Sequence, residues 1–235
     1  VSVIFTDTFS VADGDLHTII AGWVQVTGQD TLQIVSGVVA KGGGGNDACY
    51  FYDPSTWPND QYGQTTLGTP ISDGVGTGFG PALRINGAGN SFYRMIANAS
   101  GYELARIVSG SNTLVMASGS GTTFANGDII YLEMNGSTPT MKKNGTSFGT
   151  PTADSTHTAG DVGICYSSTV SNFGGVDAFE GGSLAAPATY EQEGYRWRND
   201  DGSESAATWK ASQDTTATTA VNNNVRVRFL INRTG

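Results

Sequence analysis

The stretch "DIIYLEMNGSTPTMKKNGTSFGT", residues 128–150, decides the fold. Ile130, Leu132 and Met134 alternate with Ile129, Tyr131 and Glu133, and this period of two places one set on each face of a strand. Asn135-Gly136 and Asn144-Gly145 then punctuate the chain. Asn-Gly suits the positive-φ positions of two-residue hairpin turns, so the stretch predicts a meander of three antiparallel strands.

Working outward, the same grammar recurs. Short alternating segments appear at "WVQVTG" (23–28), "TLQIVSGVVAK" (31–41), "QYGQTTLG" (61–68), "FGPALRING" (79–87), "SFYRMIANASGYELARIVSG" (91–110) and "TLVMASG" (113–119). A strand about every ten residues, each followed by a turn signal, is the pattern of an all-β sandwich or barrel. "YDPSTWPNDQ" (52–61) predicts a loop, because its two prolines would interrupt a central ladder. With 33 glycines and only 14% charged residues in 235, the chain has little material for surface helices.

The opening "IFTDTFS" (4–10) and the later "FGGVDAFEGG" (173–182) each place an aromatic two residues after an Asp. First and last strands of a sandwich commonly pair, so Asp7 and Asp177 are expected as neighbours that point outward, cap loops or share a cation. The predicted division is a sandwich over 1–182, a linker over 183–190 rich in small residues, and a short β-segment over 191–235. Fewer than 50 residues make a marginal core. Within that segment, "YRWRNDDGSESAATWKASQDT" (195–215) predicts a hairpin. Tyr195 and Trp197 alternate with Arg196 and Arg198, Asn199-Asp200-Asp201-Gly202 turns the chain, and Trp209 lies in the return strand. Val225, Val227, Phe229 and Ile231 share one face of a further strand.

Charge and chemistry exclude several functions. A net charge of −9 with 12 basic residues provides no field to gather phosphates, so nucleic acid is not an expected partner. No apolar run approaches the roughly 20 residues of a membrane-spanning helix, so membrane insertion is not expected. The two histidines, His17 and His157, sit in polar contexts without a Gly-x-Ser-x-Gly elbow, and read as exposed loop residues. "AKGGGGNDAC" (40–49) does not open a helix, so its glycines read as a loop and not as a phosphate cradle. Glu103, Glu133 and Glu180 are isolated in sequence, without the paired carboxylates of glycoside hydrolysis, and the expectation is a protein that is not an enzyme. Cys49 and Cys165 could form a disulfide in an oxidising compartment or remain two buried thiols, and the sequence leaves both open.

Two clusters are candidates for binding. Tyr52, Asp53, Trp57, Asn59 and Asp60 combine rings with polar groups, which suits a sugar's apolar C–H faces and its hydroxyls, and Trp57 is the ring expected to be exposed. Asp13, Asp15 and Asp177 are loose candidates for a structural Ca²⁺, though carboxylates in glycine loops are also ordinary turn formers.

The layout "DTFSVADGDLHTIIAGWVQVTGQDTLQIVSGVVAK", "NDQYGQTTL", "SFYRMIANASGYELARIVSG", "GDIIYLEMNGSTPTMKKNG", "GDVGICYSS" and "VDAFEGG" resembles the concanavalin-like, laminin-G-like jelly-roll modules of phage tail, other virion and secreted bacterial proteins. The residues after 194 resemble the opening of an immunoglobulin-like β-domain of extracellular microbial and phage proteins. The resemblance implies an antiparallel jelly-roll sandwich at a cell surface, a virion or outside the cell. It implies adhesion, with a glycan or neighbouring subunits of the same assembly as partner, and the alternative is a purely structural virion or filament subunit.

Overall fold

The computed structural model describes residues 1–43, 45, 47–68, 77–167, 175–184, 189–202, 206, 208–219 and 224–234. The chain forms two compact units, Val1–Leu184 and Ala185–Gly235. The first unit holds 6 of the 12 basic residues and 15 of the 21 acidic ones, so it carries the whole net charge of −9.

The first unit is built from Ser2–Asp7 (β1), Gly14–Asp15 (β2), the single-turn helix Leu16–Ile19 (α1), Trp23–Gln25 (β3), Leu32–Val35 (β4), Val38–Lys41 (β5), Ala48–Tyr52 (β6) and Gln61–Leu67 (β7). Gly78–Asn86 (β8), Ser91–Asn98 (β9), Gly101–Val108 (β10) and Ser111–Gly119 (β11) follow. Ile129–Asn135 (β12), Thr138–Lys143 (β13), Thr146–Ser147 (β14), Asp161–Ser167 (β15) and Val176–Ser183 (β16) complete it. These form an antiparallel jelly-roll sandwich. One sheet runs β14-β13-β12-β7-β16-β5-β4-β2, with β1 also on β16; the other runs β11-β10-β9-β8-β15-β6-β3.

The deciding stretch forms its meander. β12 pairs with β13 and β13 with β14, and Ile130, Leu132 and Met134 are the buried set. Asn144 (φ 49°) and Gly145 (φ 80°) both take the left-handed backbone of a primed turn, while at the other turn only Gly136 (φ 55°) does.

The main core lies between the sheets: Leu67, Ile130, Leu132 and Phe179 from one meet Tyr50, Phe79, Leu83, Tyr93 and Leu104 from the other. A second cluster, Val26, Cys49, Phe51, Ala82, Ile85, Phe92, Ala105, Ile107 and Cys165, draws its strand residues from β6, β8, β9, β10 and β15 alone. It therefore packs on the outward side of the second sheet, and the strands there are apolar on both faces. Part of its cover is visible. The loop after β3 bonds the β8–β9 turn through Thr27 N–H to Gly87 O (3.1 Å) and Gln29 Nε2 to Asn90 Oδ1 (3.0 Å).

β1 and β16 pair, with Asp7 opposite Phe179 and not Asp177. Of the roles expected for the two carboxylates, Asp7 caps the turn after its own strand, accepting from Phe9 N–H (2.8 Å) and Trp23 Nε1 (3.2 Å), and Asp177 is exposed. Cys49 and Cys165 face each other across β6 and β15 and are bonded.

In the second unit the predicted hairpin is modified. Thr189–Asn199 (β17) makes its long ladder with Val225–Thr234 (β18), putting Tyr195 opposite Phe229 and Trp197 opposite Val227. The segment around Trp209 contributes a short irregular edge: Asn199 N–H bonds Thr208 O, Lys210 N–H bonds Trp197 O, and Arg198 bridges Trp209. A strand of ten residues outcompetes the nearer but broken one because each added ladder bond and cross-strand pair adds stability. Residues 185–188 of the expected linker lie outside the described residues.

Candidate functional site

The outward face of the second sheet presents a charged cluster. β9 alternates, so Tyr93, Met95 and Ala97 enter the main core while Arg94 projects the other way. Arg94 stands opposite Ala82 on β8 and Ala105 on β10. Small side chains on both sides let a long guanidinium lie along the sheet. It pairs with Asp47, just before β6, and its Nη2 lies 3.6 Å from Glu103 Oε1 on β10. Asn112 Nδ2 donates to the same Glu103 oxygen (3.2 Å).

Burial makes the cluster informative. Arg94 is 4% and Glu103 8% exposed, on a face where alternation alone would leave polar residues in water. Beside them Ile96, Ala82, Ala105 and the Cys49–Cys165 bridge are fully or almost fully buried. Arg94 Nε has no hydrogen-bond partner among the described residues. A buried N–H without an acceptor costs about 1–3 kcal/mol, so among the described residues this donor is under-satisfied. The cluster has acceptor-only carboxylates, a donor-only guanidinium and an apolar floor. A hydroxyl can donate to Glu103 or Asp47 while accepting from Arg94, and C–H groups can rest on the floor.

The aromatic cluster expected from the sequence is distributed differently. Trp57 is only 9% exposed; its Nε1 donates to Tyr52 O (2.8 Å) and its ring covers Gly181, where a Cβ would lie 2.9 Å from the ring. The loop folds back because the bare glycine leaves a slot for the indole, so Trp57 is a core side chain and no exposed platform. Tyr52 stacks on Phe5 at 3.5 Å between centroids. Asp53 is exposed.

Asn59 and Asp60 do come together, at a cavity of about 300 Å³ lined also by Arg84, Gly136, Ser155 and Thr158. Arg84 organises it. With φ 52° and 2% exposure, it donates to Asn59 O through Nε (3.1 Å) and Nη2 (2.9 Å), to Gly136 O (2.7 Å) and to His157 O (2.8 Å). Asp60 Oδ1 accepts from Gly136 N–H (2.7 Å). His157 is half-buried and not the exposed residue expected: its Nε2 lies 2.8 Å from Ile107 O, its ring packs on Tyr93, and burial lowers its pKa. His17 is exposed, 2.5 Å from Asp15. Nearby, burial and then the Asp53 charge raise the Asp161 pKa to about 6.

The three carboxylates considered for Ca²⁺ are not gathered. Asp13 accepts from Ser36 N–H (2.7 Å), Asp15 caps α1 through His17 N–H (3.2 Å), and Asp177 is exposed on β16. Among the described residues no group of three or more His, Cys, Asp or Glu could hold a metal ion. No described helix is long and apolar enough to cross a membrane.

Sequence reasoning missed Arg84 and Arg94 because an Arg in an alternating strand reads as solvent-facing. For Arg94 the one available signal is the alanine opposite it on each neighbouring strand. It also missed that Glu133 and Glu180, isolated in sequence, share a network: Tyr62 OH donates to Glu180 (2.8 Å), Tyr131 OH to Glu133 (2.7 Å), and the two rings stack at 5.2 Å.

No protein-family model matches the chain, and no curated protein matches it in sequence. Solved structures do match its fold. The chain is similar to the potassium-bound carbohydrate recognition domain of Emp46p (11% identity, 76% of this chain and 95% of that one, TM-score 0.50). It is similar to the exoplasmic/lumenal domain of VIP36 in a Ca²⁺/Man3GlcNAc-bound form (8% identity, 72% and 86%, TM-score 0.50). A third similar structure is the carbohydrate binding module CBM66 from Bacillus subtilis (17% identity, 69% and 92%, TM-score 0.49). At these identities the likeness is one of fold, the concanavalin-like jelly roll.

Proposed function

We propose that the first unit is a non-catalytic carbohydrate-binding module that takes a neutral glycan on the outward face of the second sheet, at Arg94, Glu103, Asp47 and Asn112. The carrying observation is the cluster itself, Arg94 paired with Asp47 and Glu103 on an outward face, where the Asp47 side chain keeps 34% exposure. Lectin-like fold neighbours support the reading at the level of fold. A hydroxyl fits the cluster better than an anion does, because two carboxylates already outnumber the one guanidinium. The disulfide suits an oxidising location, outside a cell or on a surface. Asn59 and Asp60 form the rim of a secondary cavity in this reading.

The test is a glycan array followed by calorimetry with the best neutral hit, comparing the wild type with Arg94→Met and Glu103→Gln. Both variants should lose about tenfold or more in affinity while keeping a cooperative melt. Undiminished binding by both would remove the site from consideration.

A second reading, a structural subunit of a virion or filament with contacts through residues 191–235, is favoured by one observation. Phe229, Leu230 and Ile231 are 59%, 49% and 51% exposed on a two-stranded ribbon. Light scattering across a concentration series separates the two, since a constant monomer mass contradicts the subunit reading.

A further inference from the structure

We propose that the outward face of the first sheet carries a separate site for a protonated amino sugar, in a hollow between β1 and β7 over β16. The ladders set the geometry. Glu180 on β16 stands opposite Gln64 on β7 and, on its other side, opposite Thr6 on β1, while Ala178 stands opposite Thr66. Phe179 enters the main core, so alternation turns Ala178 and Glu180 to the outward side. The cavity there holds about 220 Å³, and Thr6, Asp7, Gln64, Thr66, Ala178 and Glu180 are among the residues that line it. The short side chain of Ala178, set among longer polar ones, leaves the hollow open.

No described lining residue is basic. Glu180 Oε1 accepts from Tyr62 OH (2.8 Å), but among the described residues its Oε2 receives no donor and the carboxylate forms no ion pair. Asp7 accepts from Phe9 N–H (2.8 Å) and Trp23 Nε1 (3.2 Å), neither of them a cation. Lys142, in the same cross-strand row beyond Tyr131, is held by Glu133 at 3.3 Å. Two carboxylates therefore share one small cavity without a counter-charge among the described residues, in a unit whose own net charge is −9. That arrangement attracts a cation. An ammonium group has three N–H donors and no acceptor, which complements carboxylate oxygens that only accept. Such charge-assisted bonds are roughly twice as strong as neutral ones. The Gln64 amide and the Thr66 hydroxyl make no side-chain hydrogen bond among the described residues, so both remain to donate to and accept from ring hydroxyls. The space suits roughly one sugar ring. The site differs from the Arg94 cluster in sheet and in ligand class, and does not depend on it.

The experiment titrates the isotope-labelled full chain by NMR at low ionic strength, below the pKa of the amine, with glucosamine, N-acetylglucosamine, glucose and ethanolamine. Saturable shifts with glucosamine are expected at the amides of Thr6, Gln64, Thr66 and Glu180 and at the Phe9 amide, which donates to Asp7. N-acetylglucosamine and glucose lack the ammonium and should leave these signals unmoved, and ethanolamine, which lacks the ring, should bind at least tenfold more weakly than glucosamine. Glucosamine affinity should fall about tenfold in Glu180→Gln, which removes the charge, and in Ala178→Leu, which fills the hollow, and should persist in Arg94→Met. An equal response to N-acetylglucosamine or glucose overturns the assignment of a cation, and an equal response to ethanolamine overturns that of a sugar. No saturable response, or undiminished binding in both Glu180→Gln and Ala178→Leu, overturns the site. Amide signals remote from β1, β7 and β16 report whether each variant keeps its fold.

Discussion

Replacing both cysteines, Cys49→Ala with Cys165→Ala, removes a cross-link between positions 116 apart in sequence. In the chain-entropy account, a loop of that size restricts the unfolded ensemble by about 5 kcal/mol at 25 °C. Removal of native disulfides commonly costs 2–5 kcal/mol. A further small loss comes from packing, since both residues are buried in the outward cluster with Phe51, Ala82 and Phe92. The expected loss is therefore about 3–5 kcal/mol, a large share of the roughly 5–15 kcal/mol typical of a folded domain. Urea unfolding of wild type and double variant, followed by tryptophan fluorescence, measures it, and wild type in reductant should fall to nearly the variant's midpoint. A loss below about 1 kcal/mol would falsify the argument, because the cross-link would then constrain nothing that the unfolded chain had been free to explore.

Four further outcomes follow from the same geometry. Trp57→Ala should destabilise by about 3–5 kcal/mol in thermal unfolding while leaving glycan affinity at Arg94 within twofold; strong loss of binding with little loss of stability would restore the exposed-platform reading. Arg84→Met strands the carbonyls of Asn59, Gly136 and His157 and should lower stability by about 3 kcal/mol, with hydrogen exchange rising in all three loops together. Gly163→Ala would place a Cβ 1.9 Å from Tyr50 O, so the β6–β15 ladder must part, and a soluble variant with an unchanged melting point would contradict that register. Asp161 has its folded pKa raised to about 6, so the native state holds this proton more tightly than the unfolded state. Stability from this group falls as pH rises from about 4 to 6, and Asp161→Asn should be the more stable protein at pH 7, by on the order of 1 kcal/mol after solvent screening. Equal stability of the two at pH 7 contradicts it.

The parts of this architecture legible in the sequence are those governed by local rules. Alternation at 129–134 and the two Asn-Gly turns are short-range signals, and the strands fall where they indicate. Trp57 was misplaced because its neighbours, Ser, Thr and Pro, describe a loop, whereas its burial depends on Gly181, more than a hundred residues away. Arg94 was invisible for a similar reason: a two-residue period says which face a residue takes but not whether loops cover that face. In the last fifty residues the strand around Tyr195–Arg198 was readable, but the choice between Trp209 and β18 as ladder partner was not. Both segments satisfy the local pattern, and length of pairing decides.

Arg84 also governs how this end of the sandwich could be re-engineered. One guanidinium holds Asn59, Gly136 and His157, each from a different connection, so those connections have a common anchor. A library that varies one of them alone must preserve the position of a carbonyl oxygen, a backbone atom that no choice of side chain supplies. Diversification at that end therefore has to keep the bond-making residues as fixed posts and vary only the spans between them, or change all three connections with Arg84 at once. The β8–β9 turn at Asn86–Asn90 is bound to a different neighbour, the loop after β3, and can be exchanged without reference to the Arg84 anchor.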